Sequence, residues 1–211
     1  MTAPARRDLA AACAALAGVD PALAKAHALT GLPVWRTSEP TYAQLARMIT
    51  HQQISLQAAA AIWQRTEAFL GDVTPEAVLE ADPEAIRACG QSRPKVGHLV
   101  SIAEAMVSGQ LNLARVCASD LETARRELVS VKGIGPWTAE LFLLYSVGAM
   151  DAFPVGDVGL MEAHKRLSDR ESRMEIKEFT ALAETWRPYR GVAAHLLWSW
   201  LHMNRAGAAT V

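Results

Sequence analysis

Three times along this chain a residue able to cap a helix is followed at once by proline: Asp20-Pro21, Thr74-Pro75 and Asp82-Pro83. A short oxygen-bearing side chain satisfies free amides of a first helical turn, and proline, which has no amide to lose, fits the first helical position. Each pair marks a helix start. Gly71, Gly90, Gly109 and Gly148 stand where helices should stop, after stretches such as SLQAAAAIWQRTEAFLG and PWTAELFLLYSVG whose apolar residues recur every three or four positions. No stretch alternates convincingly with period two. The expected fold class is all-α, with about ten to twelve helices on short loops. The segments from Thr41 to about Gln53 and from Arg190 to about Arg205 are apolar nearly all round and should be central.

With 211 residues, 51% of them hydrophobic and 20% charged, the chain can bury one sizeable core or two packed lobes. Arg, Glu, His or Gln interrupts every apolar run before it approaches the roughly 18 to 20 residues of a membrane span. The start, MTAPARRDLAAACAALAG, has basic residues ahead of an alanine-rich run, but Asp8 and a continuing helical stripe favour an ordinary first helix and a cytoplasmic address. Cys13, Cys89 and Cys117 have neither pairing nor metal-ligand spacing, and read as buried or neutral thiols. The six histidines form no metal motif, and neither a nucleophile elbow nor a phosphate-binding P-loop is present. A net charge of -1 provides no global basic field, so any DNA contact must be local.

The stretch SDLETARRELVSVKGIGPWTAELFLLYSVG reads as helix, short turn, helix, with Gly133 and Gly135 flanking Ile134. Two glycines two apart let the backbone approach another surface closely, and the helix beginning at Pro136 turns its first amides outward, a seat for a phosphate. A tight helix–helix turn with Ile134 plugged into the core satisfies the same spacing, and by spacing alone is the commoner outcome. Further on, Asp157 precedes VGLMEAHKRL as a helix N-cap would. The helix dipole and free amides there favour a charged carboxylate.

LVSVKGIGPWTA resembles the helix-hairpin-helix of a DNA-repair glycosylase superfamily, and DAFPVGDVGL resembles the loop that carries its catalytic Asp. YAQLARMITHQQIS before them and WRPYRGVAAHLLWSWL after them resemble the flanking helices of its alkylated-base branch, the 3-methyladenine DNA glycosylase II group. Four segments in order cover about Thr41 to Met203, while residues 1 to 40 match only as generic helices. The longer bacterial relatives carry an extra β-domain, so the resemblance is to a compact form.

The resemblance implies that the hairpin grips the DNA backbone through main-chain amides around Gly133, Ile134, Gly135 and Thr138, with Lys132 as an added phosphate contact and a monovalent Na or K ion held by the carbonyls of Val129, Val131 and Ile134. Lys132 is equally well placed as a solvated turn lysine. Asp157 becomes the catalytic carboxylate, stabilising an oxocarbenium-like sugar and orienting water. Its neighbour Asp151 matches no catalytic position and is assigned a structural role. Strand-cutting members have lysine where this chain has Trp137, so no Schiff-base step is expected. Electron-rich rings suit a flipped, positively charged alkylated purine; Trp137, Tyr189 and Trp186 are the pocket candidates, each of them alternatively core, and Leu141 stands where some relatives place tyrosine.

Family position puts the gap-filling wedge at Arg93 or Gln91 in CGQSRPK. Gln52, Gln53 and Ser55 in HQQIS resemble the segment facing the gap, with Ser55 equally plausible as an N-cap and His51 as a packed helix residue. The expectation is a monomeric, monofunctional glycosylase for alkylated purines in duplex DNA, with no cofactor for catalysis. Its lobes would be 41–150 and 1–40 plus 151–211, with the active site in a cleft between them. Rival readings are a glycosylase for deaminated or oxidised bases and a non-catalytic DNA-damage-binding module.

Overall fold

The computed structural model describes residues 3–208, the last four by backbone alone. Among the described residues there are thirteen α-helices, one π-helical turn and no strand, so the expected number of helices was low. The chain forms two compact units: one is Ser38–Phe142, and the other is built from the chain up to Thr37 and from Leu143 onward.

The Ser38–Phe142 unit contains α3 (Tyr42–His51), α4 (Leu56–Leu70), α5 (Pro75–Glu80), α6 (Pro83–Ala88), α7 (Arg93–Val107), α8 (Leu113–Ala118), α9 (Leu121–Val129) and α10 (Pro136–Phe142). Thr41, Thr74 and Asp82 cap α3, α5 and α6, with proline at the first position of the last two. Gly71, Gly90 and Gly109 follow α4, α6 and α7 with positive φ, a conformation that glycine adopts without strain. Leu45, Ile49, Ile86, Leu99, Ile102 and Phe142 are buried in this unit. The Tyr42 hydroxyl donates to the Leu99 carbonyl at 2.9 Å, which fixes α3 against α7.

In the other unit, α1 (Arg6–Val19) packs on α2 (Pro21–Thr30), and α2 on α11 (Val158–Leu167) and α13 (Arg190–Ala208); α12 (Ile176–Glu184) also belongs to it. Asp20 organises its core. One carboxylate oxygen caps α2 through the amides of Ala22 and Leu23, and the other accepts the Trp186 indole N–H at 3.0 Å and faces His164 Nε2 at 3.2 Å. Gly191 lets α13 come against the 149–150 turn: a Cβ there would lie 2.7 Å from Leu144 Cδ1 and 2.8 Å from the Met150 carbonyl.

Two expectations fail locally. PWTAELFLLYSVG is not one α-helix; α10 stops at Phe142 and Leu143–Val147 form a π-helical turn. Residues 1 to 40 are not all generic helix either, because 32–40 form no regular element and carry Trp35 and Arg36. No helix among the described residues is long and apolar enough to cross a membrane.

Candidate active site

The hairpin is built by packing as much as by turn chemistry. Val131 and Ile134 are both buried, and the Ile134 amide donates to the Val131 carbonyl at 3.1 Å, so Ile134 is the plug of the turn. Gly133 has φ 102°, and a Cβ there would fall 2.6 Å from His98 Cβ on α7. Gly135 shows neither restraint: among the described residues nothing lies within 4 Å of a Cβ placed on it. Arg125 of α9 pairs with the buried Glu140 of α10, closing the hairpin from the side away from its tip. Lys132, Gly135 and Pro136 are exposed at that tip, and Trp137 is half-buried.

Thr138 was expected at the DNA backbone through its main chain; its side chain is buried and its hydroxyl accepts the Gln52 amide at 2.8 Å. Leu141 is likewise buried and adds to the core rather than to an open surface. Gln91, expected as a wedge, is 4% exposed and donates to the hydroxyls of Thr50 and Thr66. A buried amide with those bonds is internal scaffolding and does not enter DNA. Arg93 is exposed at the start of α7 and pairs loosely with Glu84 at 3.4 Å. Ser55 caps α4 through the Ala58 amide. Gln53, in the turn between α3 and α4, is exposed and has φ 57°.

In the other unit, Asp157 caps α11, its Oδ1 accepting the Leu160 amide at 2.9 Å. The same oxygen faces the Trp198 indole N–H at 3.4 Å. Trp198 stacks on Tyr145 with centroids 6.1 Å apart, and His195 stands edge-on to both rings while tilting against Trp35 at 4.4 Å. Four rings therefore gather beside Asp157. The π-helical turn supplies Tyr145, α13 supplies His195 and Trp198 three residues apart, and the irregular segment supplies Trp35.

Electrostatics keep this group neutral. Burial, reinforced by the Arg36 charge, lowers the His195 pKa to about 4. Burial raises that of Tyr145 to about 12, with Arg36 opposing and Asp157 adding. The buried Nε1 of Trp35 and Nε2 of His195 have no hydrogen-bond partner among the described residues.

Trp186 does not join them. It is 1% exposed, packed against Phe153, Phe179 and His164, with its N–H bound by Asp20. Tyr189 is half-buried, and among the described residues it has no ring contact with the cluster. Asp151 is fully engaged by Arg187 at 2.6 Å and Arg190 at 2.9 Å and 3.0 Å, a structural arrangement. The sequence reading missed Trp35, Tyr145, His195 and Trp198; the three-residue spacing of His195 and Trp198 was the available signal.

Helix α9, the turn at Val131–Gly135 and α10 thus form a helix-hairpin-helix, and Asp157 caps α11 beside aromatic rings. The chain belongs to the HhH-GPD superfamily of base excision DNA repair proteins, which it matches over residues 46–188. It is 33% identical over 165 residues to DNA-3-methyladenine glycosylase 1 of Schizosaccharomyces pombe, covering 74% of this chain and 71% of that protein. To DNA-3-methyladenine glycosylase 2 of Escherichia coli it is 28% identical over 168 residues, covering 74% of this chain but 56% of the longer relative. The structure of the S. pombe 3-methyladenine DNA glycosylase in complex with abasic DNA superposes with a TM-score of 0.80 at 30% identity, covering 89% of this chain and 94% of that one.

Proposed function

We propose that this protein is a monofunctional DNA glycosylase that hydrolyses the N-glycosidic bond of alkylated purines of the 3-methyladenine and 7-methylguanine type in duplex DNA, in the cytoplasm and as a monomer. The observation that carries the proposal is Asp157, a half-buried carboxylate held at the start of α11 with its Oδ1 beside the Trp198 N–H and a cluster of neutral rings.

In the proposed reaction the C1′–N bond breaks and its electron pair leaves with the base. The positive charge of an alkylated purine makes it a good leaving group, so no general acid is required. The Asp157 carboxylate stabilises the oxocarbenium-like sugar and orients water. Water oxygen bonds to C1′, and its proton passes to the carboxylate or to solvent. Products are the free base and an abasic site. Trp137, in the position where strand-cutting members of the superfamily carry lysine, supplies no amine for a Schiff base.

The rings of Trp198, Tyr145, Trp137 and Tyr189 are assigned to the flipped base, whose charge favours electron-rich faces. A neutral His195 adds no repulsion to a cationic base. The hairpin is assigned to the phosphate backbone through the main chain of Gly133 to Thr138, with Lys132 as an added cation. The carbonyls of Val129, Val131 and Ile134 suit a monovalent ion there: Val131 O already accepts the Ile134 amide, and a carbonyl has a second lone pair to give. Such an ion would neutralise phosphate charge where the protein as a whole has none to spare. Exposed Gln53, rather than buried Gln91, is assigned to the gap left by the flipped base.

The test is incubation with methylated duplex DNA and, in parallel, with duplexes carrying uracil or oxidised guanine, followed by separation of released bases. Free 3-methyladenine and 7-methylguanine are expected, with no borohydride-trapped cross-link. Release of uracil or oxidised guanine instead would favour the rival substrates, and no release at all would favour a DNA-damage-binding module.

A further inference from the structure

After α3 the chain makes a tight turn, Gln52 at φ -63°, ψ 132° and Gln53 at φ 57°, which puts a non-glycine residue where such a turn favours glycine. A helix that stops needs partners for its last carbonyls, and the ordinary device is a glycine in the left-handed conformation. Here the helix ends on His51, Gln52 is extended, and Gln53 takes φ 57°. A non-glycine residue in that region costs on the order of 1 kcal/mol or more and persists only where its surroundings hold it.

The hold comes from α7. Lys95 Nζ donates to the carbonyls of both Thr50 and Gln52 at 2.8 Å. It thereby satisfies two acceptors at the end of α3 and places a cation at the negative end of the helix dipole. Gln91, four residues earlier, grips the Thr50 hydroxyl at 2.8 Å. The Gln52 side chain ties the same turn to Thr138 of α10 at 2.8 Å, and Ser55 fixes the far end by capping α4. What stays exposed is the tip, Gln53 and Ile54. Gln91 and Lys95 of CGQSRPK thus buttress the 52–55 turn.

We infer that Lys95 is a positioning residue: its ammonium, bonded to the Thr50 and Gln52 carbonyls, holds the 52–55 turn rigid so that the Gln53 side chain can enter the duplex in place of the extruded base. A tip on a loose turn would swing away as readily as it entered, so the same Gln53 without Lys95 would bind DNA yet fail to keep the base out. The inference rests on the glycosylase reading for its substrate, although insertion into the gap is measurable without excision.

The experiment compares wild type with Lys95→Met, Lys95→Arg, Gln53→Ala and the Lys95→Met/Gln53→Ala double variant, each assayed below its melting temperature. Three quantities are read: single-turnover release of 7-methylguanine from duplex DNA, affinity for undamaged duplex, and the fluorescence rise of 2-aminopurine beside an abasic-site analogue, which reports unstacking. Lys95→Met should lower the release rate by about tenfold or more and abolish the fluorescence rise, with duplex affinity within about twofold of wild type. Lys95→Arg should recover part of both. The double variant should be no worse than the poorer single one, because both changes act on one device. Gln52→Ala, which cuts only the tie to Thr138, should reproduce part of the loss if Lys95→Met does not fold.

Wild-type fluorescence and release for Lys95→Met, or fully additive losses in the double variant, would overturn the inference. A wild type that releases no base would instead sink the glycosylase reading, while the fluorescence still decides the role of Lys95.

Discussion

Trp198 Nε1 lies 3.4 Å from Asp157 Oδ1, an oxygen already bonded by the Leu160 amide at 2.9 Å. Two donors on one oxygen fix the plane of the carboxylate, and Gly159 makes room for it, since a Cβ there would sit 3.0 Å from the same atom. The ring of Trp198 and its N–H are therefore separable contributions. Trp198→Phe keeps a ring face and removes the donor. A hydrogen bond to a charged group is worth about 1.5 kcal/mol or more, so the single-turnover rate should fall about tenfold with affinity for abasic DNA kept. Trp198→Ala, which also loses the ring, should weaken that affinity as well.

The two hairpin glycines should separate in the same way. Gly133→Ala forces a side chain to φ 102° and into His98, including its Cα at 3.0 Å, and should cost about 2 to 4 kcal/mol in thermal or denaturant unfolding. Gly135→Ala meets nothing within 4 Å and should leave stability within about 0.5 kcal/mol. If the exposed tip meets phosphates, that silent substitution should still weaken duplex binding.

His195 gives stability a pH dependence. Its folded pKa, about 4, lies below the unfolded value of about 6.5. The unfolded chain then binds the extra proton between those values, so the contribution is whole above about pH 6.5 and is lost as pH falls toward 4, by up to about 3 kcal/mol. His195→Gln should flatten the unfolding free energy across that window.

Asp20 acts at lower pH. Burial pushes its carboxyl up, but the His164 contact and the Ala22 and Leu23 amides outweigh burial and hold it below the usual carboxylate value. Its contribution is present above the unfolded value of about 3.9 and disappears as pH falls further. Asp20→Ala also strands the Trp186 N–H and uncaps α2, and should cost about 3 to 5 kcal/mol at neutral pH.

Local chemistry was legible in the sequence and distant pairing was not. Asp20, Thr74, Asp82 and Asp157 announce helix starts because a cap bonds to amides two or three residues away. Trp186 was misassigned because the partner of its N–H, Asp20, lies 166 residues off and leaves no trace near WRPYRG. Gln91 was misassigned for the same reason, its hydroxyl partners being Thr50 and Thr66 on other helices. The ring cluster stayed hidden because three unconnected stretches supply it, one through a π-helical turn that re-aims Tyr145 from the face a continuous α-helix would give it.

The central claim is that Asp157 does the chemistry, and single-turnover release of 7-methylguanine by Asp157→Asn tests it most directly. Asparagine can still cap α11 but carries no charge for the developing sugar cation. The account predicts release slowed by about a hundredfold or more, with melting temperature and affinity for abasic DNA close to wild type. A variant that folds, binds and releases base as fast as wild type would contradict it.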